Sequence, residues 1–123
     1  MHKKILVVDD EKDVLDMLGA RLEAAGYNVL KASGGVEGLA IAKEECPALI
    51  ILDVLMPDMS GNEVAEKLSA DPVTKHIPVI FLTATLSREQ EKACRSVGKT
   101  FFLSKPYEPE ELISIVSRLV GLG

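Results

Sequence analysis

The chain predicts an α/β fold, a doubly wound five-stranded parallel sheet in the strand order 2-1-3-4-5, covered by helices as a three-layer sandwich. Three observations carry this. Short apolar runs rich in β-branched residues recur along the chain, bounded by charge or by turn residues. These runs are continuous rather than alternating, which marks strands buried on both faces, as in a parallel sheet covered by helices. Between them apolar residues recur three or four apart, so strands and helices alternate and right-handed crossovers follow.

Residues 5–8 form the first strand, too short for a core helix. Leu15, Leu18, Leu22 and Ala25 then lie three or four apart on one helical face, and Gly26 is a natural stop. Residues 29–30 are a thin, polar-flanked second strand suited to a sheet edge. Val36, Leu39, Ala40 and Lys43 place a second helix that ends before Pro47, and residues 49–52 form the third strand. Ser60 with Glu63 forms a capping box for a third helix running to about residue 69, and Ser87 with Gln90 does the same for a fourth, about 88–97. Residues 79–82 and 101–103 are the fourth and fifth strands. Pro109 opens the fifth helix, with Glu110 and Glu111 at the positive end of its dipole and Leu112, Val116 and Leu119 on its buried side. The first, third and fourth strands are the most apolar and belong at the centre, which the order 2-1-3-4-5 satisfies.

Composition bounds what such a domain can do. The 123 residues suit a single domain, 1–123, able to bury a core without disulfides or metal staples. Cys46 and Cys94 stand far apart without metal-ligand spacing and are expected to be core or half-buried thiols in a reducing compartment. No apolar run approaches the roughly 20 residues a bilayer requires, and the amino terminus lacks a secretory pattern, so a cytoplasmic protein without membrane insertion is expected. A formal charge of −5 without a basic stripe argues against direct nucleic-acid binding.

In a doubly wound sheet the functional crevice lies beyond the carboxyl ends of the strands, where the winding reverses between strands 1 and 3. Strand 1 runs into Asp9, Asp10 and Glu11, and strand 3 into Asp53. Neighbouring parallel strands bring these carboxylates within a few ångströms, where like charges repel unless a cation intervenes. Capping of the first helix accounts for one of them, Asp10, but not for Asp53 at the end of an apolar strand, where an unpaired charge is costly. Magnesium suits the site, since it takes a few carboxylate oxygens and keeps positions open. Strand 4 ends at Thr83, a hydroxyl, and strand 5 is followed by Lys105, whose backbone Pro106 biases toward an extended conformation. Carboxylates, a hydroxyl and a lysine around one crevice form a kit for phosphoryl transfer.

Four segments then carry a resemblance: Val7-Val8-Asp9-Asp10-Glu11, the run from Asp53 through Leu55, Met56, Pro57 and Asp58 to Gly61, Phe81-Leu82-Thr83-Ala84, and Lys105-Pro106-Tyr107. With them the chain resembles, over its whole length, the receiver domain of two-component response regulators, a CheY-like, flavodoxin-like (βα)5 superfamily. The resemblance implies a phosphorelay role. It implies that Asp53 takes a phosphoryl group from a sensor histidine kinase or a histidine phosphotransfer protein. It further implies that Asp9, Asp10, Asp53 and the Leu55 carbonyl bind Mg2+, with Mn2+ as a substitute, and that Thr83 and Lys105 grip the phosphoryl oxygens. Thr83 and Phe102 become the switch that reshapes the face of the fourth helix, fifth strand and fifth helix, where a partner binds. That partner is a downstream protein, an output domain of the same chain, or a second copy in a homodimer. Such a protein catalyses its own phosphorylation and slow dephosphorylation rather than turning over external substrates.

Lys99 replaces the usual alanine before the fifth strand, on the surface the family uses for pairing or docking, and Leu55 offers no polar side chain to orient a hydrolytic water. A flavodoxin-like cofactor binder needs a phosphate-cradling loop where this chain has Asp9, Asp10 and Glu11; a haloacid-dehalogenase-type hydrolase needs a second aspartate at Leu55. The remaining rival is a receiver-fold module that docks without phosphorylation. Either setting, a stand-alone regulator or a receiver segment of a longer protein, is compatible with the sequence. Asp58 lies in the loop after Asp53 but outside the acidic trio, so Asp58→Asn is expected to leave metal binding and phosphorylation nearly unchanged.

Overall fold

A computed structural model describes residues 3–54, 56–83, 100–104 and 108–121. In chain order it contains β1 (Lys4–Val8), α1 (Lys12–Ala24), β2 (Asn28–Ala32), α2 (Gly35–Glu45), β3 (Leu49–Asp53), α3 (Gly61–Ala70), β4 (Val79–Thr83), β5 (Thr100–Ser104) and a C-terminal helix (Pro109–Val120). The fourth helix expected at 88–97 lies outside the described residues.

Five parallel strands are ordered β2-β1-β3-β4-β5, as their apolar character predicts. Each strand sends alternate side chains to opposite faces. Leu6, Val8, Ile50, Leu52 and Phe81 pack on one side with Ala42 of α2 and Val64 and Leu68 of α3. Ile5, Val7, Ile51, Ile80 and Leu82 pack on the other with Leu15, Leu18 and Leu22 of α1 and Leu112 and Val116 of the C-terminal helix. Both faces of the central strands are thereby desolvated. Burial of such side chains is the main favourable contribution to folding, about 1.5–3 kcal/mol for each fully buried Leu or Ile.

The helix ends follow their local chemistry. Gly26 adopts φ +98° just beyond α1, a left-handed conformation that glycine takes without steric penalty. The Ser60 hydroxyl accepts from the Glu63 N–H at 3.2 Å, capping α3, and Pro109 stands in the first turn of the C-terminal helix. That helix also ends against the start of the fold. The Tyr27 hydroxyl donates to the Gly121 carbonyl at 2.6 Å, and the Lys3 ammonium donates to the Val120 carbonyl.

Two expectations are corrected. On α2, Val36, Ala40 and Lys43 face solvent, Leu39 is half-buried, and the inward face is Gly35, Gly38 and Ala42. Small residues win here because the helix lies close to the sheet: a Cβ on Gly38 would stand 2.9 Å from a Val8 methyl. Cys46, expected to be in the core or half-buried, is exposed at the end of α2, with its backbone at φ +46° and its thiol directed to the Lys43 carbonyl. Cys94 lies outside the described residues.

Candidate functional site

The register of the central strands places the acidic residues. Val8 pairs with Leu52, so Asp9 and Asp53 are the next residues at the same height on neighbouring strands. β1 ends at Val8, and the chain then turns away into α1. Carboxylate oxygens of Asp9, Asp10 and Asp53 all lie within 4.8 Å of one another. Asp9 and Asp53 are buried, at 1% and 6% exposure, whereas Asp10 is exposed at the mouth. The cluster therefore joins two buried carboxylates to one that is solvent-exposed.

Asp9 is held in place on two sides. Its backbone N–H donates to the Ala32 carbonyl at 3.1 Å, and its Oδ1 accepts from the Glu11 N–H at 2.9 Å. Glu11 is the N-cap residue of α1, and the helix has no side-chain cap of its own. The expected capping by Asp10 is therefore corrected: the carboxylate beside the helix start belongs to Asp9, which leaves Asp10 turned to the cleft with the other two acids. Asp9 thus orders the turn that presents Asp10.

The chain beyond Asp53 is pinned by tight backbone packing. Val54 N–H donates to the Leu82 carbonyl at 3.3 Å, and Gly61 N–H donates to the Val54 carbonyl at 2.9 Å. The first residue of α3 therefore sits directly against the strand that carries Asp53.

A hard divalent cation fits these donors. Three carboxylates supply only oxygen, two of them are desolvated, and their mutual repulsion is relieved by positive charge. The same donor set offers no nitrogen or sulfur to favour a softer metal. An open groove of about 430 Å³ runs from Asp10 past Gly34, Val36, Pro57 and Asp58.

Of the remaining residues predicted for the site, Thr83 is the last residue of β4 and pairs with Ser104 of β5, and Phe102 pairs with Phe81. Leu55 and Lys105, like the side chains of Thr83 and Phe102, lie outside the described residues. One residue gained a role the sequence did not signal. Asp58 accepts hydrogen bonds from the backbone N–H groups of Gly35 and Val36, both at 3.1 Å. These bonds, that from Val36 foremost, hold its carboxyl below the ordinary carboxylate value. Its partners lie more than 20 residues away in sequence, and no local motif announces them.

Residues 5–117 match the family described as the response regulator receiver domain. The chain is 38% identical to the phosphate regulon transcriptional regulatory protein PhoB of Pseudomonas aeruginosa, over 98% of this chain and 54% of that protein. It spans about half the length of the curated relatives it matches first. Among solved structures, the chemotaxis protein CheY4 of Vibrio cholerae superposes with a TM-score of 0.90 at 35% identity, covering 97% of this chain and 99% of that one. The receiver domain of the sensor histidine kinase PA1611 from Pseudomonas aeruginosa, solved with a magnesium ion coordinated in its active-site cleft, gives a TM-score of 0.88 at 26% identity, covering 98% and 99%. Among the described residues no helix is long and apolar enough to cross a membrane.

Proposed function

We propose, because this chain belongs to the response regulator receiver domain family, that it serves a phosphorelay in the cytoplasm by accepting a phosphoryl group on Asp53 from a phosphohistidine protein. The observation that carries this reading is the convergence of Asp9, Asp10 and Asp53 at the carboxyl ends of β1 and β3. Asp53 attacks phosphorus through a carboxylate oxygen. The phosphorus–nitrogen bond of the donor breaks, its electron pair stays on the imidazole nitrogen, which takes up a proton from solvent, and an acyl phosphate forms on Asp53.

Magnesium, the ion reported in the PA1611 receiver domain, would be held by Asp9, Asp10, Asp53 and the Leu55 carbonyl, and supplies positive charge that lets an anionic phosphoryl group approach an anionic carboxylate. The chain's own residues do the rest. Asp9 orders the turn that presents Asp10, and the packing of Gly61 against Asp53 fixes the acceptor backbone. Thr83 and Lys105 hold the phosphoryl oxygens. Drawing in Thr83 lets Phe102 turn toward β4, and the face formed by residues 88–97, β5 and the C-terminal helix changes shape for a partner. The response is a two-state equilibrium biased by the phosphoryl group, which adds about −1.5 to −2 charges.

Incubation with acetyl phosphate and magnesium, borohydride trapping and peptide mass spectrometry tests the assignment. Label is expected on Asp53 and absent from Asp53→Asn. A chain that docks its partner yet never carries label on Asp53 would be the receiver-fold interaction module instead.

A further inference from the structure

α2 begins without a cap of its own. Its N-cap residue is Gly34, which has no side chain to accept from the first amides of the helix. The carboxylate of Asp58 does this from the loop between β3 and α3, with one oxygen on Gly35 N–H and the other on Val36 N–H. The fit depends on missing side chains. The three atoms nearest a Cβ on Gly34 would all belong to the Asp58 carboxyl group, at 2.9 to 3.1 Å, and a Cβ on Gly35 would stand 2.8 Å from both Met59 Cβ and a Val64 methyl.

The same loop is fastened at its far end, where Gly61 N–H donates to the Val54 carbonyl. The segment between Asp53 and α3 is thus held at two points, one on its own strand and one on α2. Asp58 and Asp10 line one groove, so the second fastening shares a wall with the exposed member of the acidic cluster.

We propose that Asp58 is a positioning residue for phosphoryl transfer: its paired hydrogen bonds to Gly35 and Val36 tie the loop after Asp53 to the start of α2 and hold that loop in the geometry transfer requires. The inference rests on the proposed role of Asp53 as acceptor. It differs from helix capping alone, which would stabilise α2 but leave the rate of transfer unaffected.

The two roles separate in a variant set. In Asp58→Ala, the loss of a cap lowers the melting temperature by about 5 °C, and a loop displaced by a fraction of an ångström slows labelling of Asp53 by acetyl phosphate about tenfold. Magnesium affinity, measured by calorimetry, stays within about twofold of the parent, because Asp58 lies outside the acidic trio. Gly34→Ser in the Asp58→Ala background places a local cap in the space the carboxylate leaves. This double variant is expected to regain the melting temperature while labelling remains slow. Tyr27→Phe, which loses a hydrogen bond remote from the site, provides a comparably destabilised chain that keeps the parental rate.

Labelling that recovers together with stability in the double variant, or an Asp58→Ala rate equal to that of Tyr27→Phe, overturns the positioning role and leaves only a cap. A parent chain that takes no label on Asp53 overturns the function proposed above, whatever the Asp58 variants do. The two failures are therefore distinct.

Discussion

A Cβ on Gly61 would stand 2.6 Å from the carbonyl oxygen of Asp53 and 2.9 Å from the Cα of Val54. Both neighbours are backbone and cannot swing aside as a side-chain tip could. The first turn of α3 and the end of β3 are thereby in close contact, and the backbone of Asp53 is held by the sheet on one side and by a helix on the other. Gly61→Ala is expected to destabilise the fold by about 1–3 kcal/mol, the usual range for overpacking. It should also slow Asp53 labelling measured well below the melting temperature. Denaturant unfolding and the trapping assay check the two effects separately, and a variant with parental stability would show that the loop relaxes freely.

Magnesium should stabilise the parent chain and do so through the acidic trio. At about ten times its dissociation constant, a ligand bound only to the folded state adds about 1.4 kcal/mol. Asp10→Asn removes one carboxylate from three whose oxygens lie within 4.8 Å, so repulsion falls when no divalent ion is present. Its melting temperature is therefore expected to equal or exceed that of the parent in chelator, and to rise less on adding magnesium. Thermal scans with and without the ion measure this, and an equal gain in both chains would move the metal away from Asp10.

The Tyr27 hydroxyl joins the end of β2's leading turn to Gly121 at the exit of the C-terminal helix. The Tyr27 ring is itself buried, and desolvation raises the phenol above its ordinary value. Tyr27→Phe keeps the ring and removes only the hydrogen bond, so a loss of about 1 kcal/mol is expected in urea unfolding. Faster amide exchange should be confined to the last turn of the helix.

Stability should fall in acid partly through two aspartates. Asp58, through the Val36 and Gly35 amides, and Asp71, through the Val73 amide with Lys43 nearby, both have carboxyls held below the ordinary 3.8. A carboxyl depressed in the folded state contributes stability above its unfolded pKa, and that contribution disappears as pH falls through the folded value. The parent should therefore lose more stability than an Asp58→Asn, Asp71→Asn double variant as pH drops below about 4.5. Urea midpoints across that interval test it. Parallel curves would mean that neither carboxyl is depressed.

Much of this molecule was legible in the sequence because the relevant signals are local. A continuous apolar run means burial on both faces wherever the strand lies, so the runs at 5–8, 49–52 and 79–82 determined a parallel sheet, and their relative polarity its order. Asp9, Asp10 and Asp53 follow directly from those runs, since a residue just past a strand end lies at the crevice in this topology. The inward face of α2 was not legible from apolar periodicity, because nearness to Val8 selects Gly38 and Ala42 over larger residues, and an apolar Val36 is left outside. The role of Asp58 was not legible either: its amide partners lie at the start of a different element, and only the packing of α2 beside α3 brings that element within reach. Periodicity along one chain segment records which face is buried but not what lies opposite it, so the sequence by itself determined the strands and the acidic trio, and the tertiary structure decided which backbone amides Asp58 would hold.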